Sequence, residues 1–161
     1  MTLVPTIKIA DITAAWVTAL EASTELSTYC TTQFGKDITI FVNFNAKNKP
    51  KEDVTPLIAI YPGSKQEGIG NADYVYTLGV SWVLKDVTGP TKTGKTYTMP
   101  YLEKLDAMGQ IIQKVLTTAS SEHLITDIQY SIEPTDFWPM IIGHMEMTIS
   151  VPVTLGTGLA Y

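Results

Sequence analysis

Cysteine is nearly missing from this chain of 161 residues: Cys30 stands alone. A single thiol excludes an internal disulfide and any cysteine-rich metal site, and it suits a reducing compartment. Positive charge is also scarce, with eleven basic against sixteen acidic residues and a formal net charge of −5. Affinity for nucleic-acid phosphates comes mainly from basic side chains, so this balance argues against a duplex-DNA or RNA binder. Lys47, Lys49 and Lys51 form the one basic cluster. Long apolar runs are lacking too. No stretch approaches the roughly 18 apolar residues of a membrane span, and the first residues lack a signal-peptide pattern. The expectation is a soluble protein that stays where it is made and needs no membrane.

What is present is ordinary globular composition, 45% hydrophobic and 17% charged, in a length that suits one domain with a sizeable core. The first ten residues, with Pro5, read as an extended arm. Asp11 is a candidate N-cap. Behind it Ile12, Ala15, Trp16, Ala19, Leu20, Ser23 and Leu26 recur at helical spacing and predict one amphipathic helix over 11–29. Gly35 closes the connection after it. Ile38, Ile40, Val42 and Phe44 then alternate with Thr39, Phe41 and Asn43, predicting a strand with one strongly apolar face. Residues 57–61 are a short apolar run closed by a Pro62-Gly63 turn. Gly68, Gly70 and Asn71 suggest a second turn.

Tyr74, Tyr76, Leu78, Val80, Trp82 and Leu84 alternate with smaller residues in the clearest strand signal, expected to pair antiparallel with the run before it. Pro100 opens a second helix, residues 101–119, with Leu102, Leu105, Gly109, Ile112 and Leu116 on one stripe. Two closing strands come next, one through Ile128, Tyr130 and Ile132 and one through Met145, Met147, Ile149, Val151 and Val153. Residues 156–161 read as a loose tail. The order α-β-β-β-α-β-β predicts a single α+β domain, with a mostly antiparallel sheet of about five strands packed against two helices.

One motif stands out. Gly89-Pro90-Thr91-Lys92-Thr93-Gly94-Lys95-Thr96 fits the P-loop pattern G-x-x-x-x-G-K-[ST], which would place Lys95 on phosphates and Thr96 on Mg²⁺. Gly89, Gly94, Lys95 and Thr96 are therefore a candidate cofactor-binding set. The context opposes it. A true P-loop runs straight into a helix whose N-terminus faces the phosphates, whereas Pro100 and the β-rich Tyr97-Thr98-Met99 delay the helix. The preceding strand alternates as a half-exposed antiparallel strand does, and residues 124–127 are a poor Walker-B match. The favoured reading is a mobile connection in which Lys92 and Lys95 contact a neighbouring subunit.

Other constellations are thinner. His144 and Glu146 share a strand face but lack a third metal ligand, and His123 has no partner in the sequence. Cys30 reads as packing, because no Cys/His motif surrounds it. Phe137 and Trp138, between Asp136 and Pro139, are either a core plug or an exposed subunit contact. No catalytic residue, metal site or cofactor is expected.

The opening helix over 11–29, the 57–62 run, the aromatic strand over 74–84, the helix over 101–119 and the closing strands together give a layout that resembles the tail terminator (tail completion) proteins of long-tailed bacteriophages. The likeness is one of element order over most of the chain, without a short signature. Head–tail connector proteins share much of it. The resemblance implies a non-enzymatic virion subunit made in the host cytoplasm. It would form a homohexameric ring that caps the tail tube and meets the head–tail connector, with DNA passing through the lumen without specific binding. The interface candidates are Lys47, Lys49, Lys51, Lys92, Lys95, Phe137 and Trp138. The alternatives are a small P-loop nucleotide-binding protein and an adaptor domain of another assembly.

Overall fold

A computed structural model describes residues 8–43, 47, 50–66, 73–120, 124–133 and 139–152. Its first helix, α1 (Ile9–Ala22), turns Ile12, Trp16 and Leu20 inward at intervals of four, the spacing that keeps side chains on one helix face. The helix takes in the last residues of the expected arm. Asp11 is not its N-cap but lies three residues into it, where its carboxylate accepts from the Lys8 N–H at 3.0 Å.

The single helix expected over 11–29 is in fact two. Ser23 adopts an extended conformation, and its hydroxyl accepts from the Leu26 N–H at 3.2 Å, capping α2 (Thr24–Phe34). Serine competes for backbone groups in this way and favours helix starts over helix interiors. The apolar spacing stayed in phase across the break and hid it. Gly35 caps the far end of α2, donating to the Thr31 carbonyl at 3.0 Å.

Next come β1 (Thr39–Val42), β2 (Leu57–Gln66) and β3 (Asp73–Lys85). The strongly apolar face expected of β1 is only half-buried, and Val42 is exposed. Pro62-Gly63 makes a β-bulge rather than a turn, so β2 runs on to Gln66. Proline has no N–H for the ladder and is tolerated at such an interruption. A separate small hairpin, β4 (Thr91–Thr93) and β5 (Thr96–Thr98), precedes α3 (Tyr101–Ala119). The chain closes with β6 (Leu124–Glu133) and β7 (Met140–Pro152).

The fold is α+β, with a mostly antiparallel five-stranded sheet in the order β1-β2-β3-β7-β6. Among the described residues only β1 and β2 run parallel. Every alternate residue of β3 from Tyr74 to Leu84 is buried, and each pairs with an inward position of β7. Together with Ile58 and Ile60 they make one wall of the core, and the three helices make the other. Among the α3 residues expected inside, Leu102 is half-exposed because it belongs to the first turn, beside a groove rather than the packed layer. No helix among the described residues is long and apolar enough to cross a membrane.

A buried polar link ties α1 to the end of α3: the Trp16 Nε1–H donates to the Ser120 hydroxyl at 2.8 Å. Ser120→Ala is expected to destabilise the fold by about 1–2 kcal/mol, the range for orphaning a buried donor at a helix end. Urea unfolding of Ser120→Ala against Ser120→Thr, which keeps the hydroxyl, checks this.

Candidate assembly surface

Val87, Thr88 and Gly89 leave the end of β3 as exposed chain and lead into the β4–β5 hairpin. The P-loop-like residues therefore adopt β structure. Thr91 pairs with Thr98, Lys92 with Tyr97 and Thr93 with Thr96, leaving Gly94-Lys95 as a two-residue turn. Gly94 has φ +62, a conformation that only glycine adopts cheaply, and glycine at the first turn position is a hairpin signature. The threonines and Tyr97 favour strand over helix. Gly94, Lys95 and Thr96 thus close a hairpin, and the nearest helix start is Tyr101. The helix N-terminus that a P-loop aims at phosphates is absent from this segment.

All six strand residues of the hairpin are exposed. Lys92 lies over the Tyr97 ring, with its Nζ 5.2 Å from the ring centre, a contact of modest strength at the surface. Lys95 sits on the turn and is exposed. The result is a short arm with threonines on one face and a lysine–tyrosine pair on the other.

Its root is fastened. Asp86 is buried; its N–H donates to the Pro139 carbonyl at 3.1 Å, and its carboxylate accepts from the Thr88 N–H and from Lys104 Nζ, both at 2.8 Å. Burial by itself would raise the Asp86 pKa. The hydrogen bonds from Lys104 and Thr88 and the Lys104 charge outweigh it and hold the carboxyl below its ordinary range.

A cleft of about 510 Å³ borders this root, between the end of α2, a short helical turn at Glu52–Val54 and α3. Most of its charged groups are engaged. Lys85 pairs with Glu52, Lys104 with Asp86, and Lys36 donates to the Asp53 carbonyl at 3.0 Å. Lys51 is exposed next to Glu52, and Lys47 is exposed further back in the same connection. Lys49, Phe137, Trp138 and His123 lie outside the described residues, as do Gly68, Gly70, Asn71 and the 156–161 tail.

The remaining candidates have structural partners. His144 and Glu146 do share a face, on the side of the sheet away from the helices, but His144 Nδ1 lies 2.5 Å from the Tyr61 hydroxyl and 3.2 Å from that of Ser81. Its ring also stacks on Tyr61, with the planes 8° apart. No group of three metal-ligating side chains occurs among the described residues. Cys30 is buried, and burial together with the Asp37 charge pushes its thiol up to about 12. It is held as packing, not as a nucleophile.

The chain matches no protein-family model and no curated protein sequence.

Sequence reasoning missed two features of this surface. One is the hairpin itself, which the strand-forming Thr-Lys-Thr and Thr-Tyr-Thr flanking Gly-Lys could have signalled. The other is the outer edge of β6, unpaired among the described residues, which depends on strand order and leaves no local mark.

Proposed function

We propose that this protein is a non-enzymatic, ring-forming virion subunit of the tail terminator type, capping a phage tail tube and joining it to the head connector. The observation that carries this reading is the exposed β4–β5 arm, anchored at Asp86 on a two-layer domain. An isolated two-stranded hairpin is marginal in water, and an arm of this kind gains stability by lying on another surface. The element order of the chain supports the same reading.

In this role subunits associate head-to-tail until the rotation closes. The ring then meets the tube on one side and the connector on the other, and DNA passes through the lumen without specific binding. The net charge of −5 supports free passage, since like charge discourages backbone contact. Multi-angle light scattering of the purified protein is expected to give a multiple of the 17.7 kDa subunit mass. Negative-stain images should show rings, and mixing with tail-tube protein should halt tube growth. A protein that stays monomeric and leaves tube growth unchanged would sink the proposal.

A further inference from the structure

We infer that the β4–β5 arm of one copy adds to the open outer edge of β6 in a second copy, bringing Lys92 and Lys95 onto Asp127 and Glu146. This rests on the self-assembly reading above and names the surface that reading leaves open.

The sheet has two unlike edges. β1 is four residues long, while β6 is ten, and among the described residues no strand pairs with the outer side of β6. A long edge with unpaired N–H and C=O groups is a template for another strand. The bulge between Ile125 and Asp127 is its one irregularity. The hairpin arm is a two-stranded sheet and has free edges of its own.

Charge selects the match. Residues 87–98 contain two lysines and no acid, whereas residues 124–133 contain two acids and no base. Asp127 lies opposite Thr148 and Glu146 opposite Gln129, so the two carboxylates are diagonal neighbours on one sheet face. Both are exposed. Asp127 accepts from the Gln129 amide at 3.0 Å, and no cation bridges the pair among the described residues. Like charges at this spacing disfavour each other, and a lysine from outside relieves that repulsion.

Apolar exposure points to the same two elements. Among the described residues, the three most exposed large hydrophobic side chains are Val87 at 71%, Leu124 at 66% and Tyr97 at 64%. Two belong to the arm and one to β6. Within one subunit Tyr97 and Thr98 of the arm line a groove with Ile132 of β6. Arm and outer edge are nonetheless different surfaces, so a contact between copies is heterologous, the kind that builds rings.

The test is site-directed cross-linking with a short bis-maleimide. Lys95→Cys and Asp127→Cys are placed in one chain, with Cys30 left in place because its buried thiol, raised to about 12, does not compete. The expected result is a covalent ladder ending at the ring size, while mixing the two single variants gives dimers only. A ladder or a dimer from Lys95→Cys alone would mean arm-to-arm contact and overturn the inference. Light scattering on the unmodified protein separates the levels. Oligomers without Lys95–Asp127 cross-links defeat this inference and leave self-assembly standing, whereas a monomer at every concentration defeats both. A charge swap gives a second readout. Lys92→Glu with Lys95→Glu should weaken association about tenfold or more through like-charge juxtaposition, and adding Asp127→Lys with Glu146→Lys should restore it. No loss on reversal, or no rescue by the swap, counts against the arm–edge contact.

Discussion

Trp82→Ala is expected to lower the unfolding free energy by about 3–5 kcal/mol, the range for emptying a buried aromatic site. That is a large share of a small domain's whole stability. Trp82 is fully buried near the C-terminal end of β3, and its Nε1–H donates to the Leu105 carbonyl at 3.0 Å. Its ring centre is 5.1 Å from that of Tyr130. Two glycines make room for it. A Cβ at Gly143 would come within 2.3 Å of the indole, and one at Gly109 within 2.6 Å. Gly143→Ala should therefore cost about 1–3 kcal/mol by overpacking. In a Trp82→Phe background much of that penalty should disappear, because the smaller ring vacates the space. Urea unfolding of the four proteins in the cycle measures this coupling. Strictly additive energies would mean that the indole and the glycine do not share the space described.

The second large effect is expected at Asp86, where replacement by alanine should remove about 2–3 kcal/mol, as for losing charged hydrogen bonds in a buried site. Its sign with pH follows from the depressed folded pKa. The unfolded carboxyl titrates near its ordinary value of about 3.9, so the Asp86 contribution is complete above that value. It fades as pH falls through the lower folded value. The gap in stability between the wild type and Asp86→Asn should thus be wide at neutral pH and close in acid. A gap that persisted unchanged in acid would contradict the ion pair with Lys104. Because Asp86 fastens the start of the arm to α3, Asp86→Ala should also increase protease cleavage between β3 and α3.

The sequence carried the parts of this fold that repeat. The alternation of Tyr74 through Leu84 is the buried face of β3, and α3 occupies the 101–119 stretch expected of it. Less legible were places where one residue overrides a pattern. Ser23 breaks a helix whose apolar stripe continues without a gap, and Pro62 interrupts pairing without ending its strand. Strand order was only partly legible: the antiparallel β2–β3 pairing follows from the sequence, but neither the parallel β1–β2 pair nor the place of β7 beside β3 leaves a local trace. The sequence singled out Gly89 to Thr96 as a motif and argued it away from phosphate chemistry. The hairpin was missed although its signal is local: Gly94-Lys95 closes a turn between short threonine-rich strands.

The position of β7 bears on how the chain is made. It is an interior strand, lying between β3 and β6, yet it is the last of the five strands to leave the ribosome. Until Met140 and the rest of β7 have emerged, the inward residues of β3 have β2 on one side and nothing on the other. Pairings this distant in sequence form slowly and leave apolar strands exposed in the meantime. A nascent chain stalled before residue 140 should therefore be a substrate for chaperones, and completion of the sheet should await synthesis of the strand that joins β3 to β6.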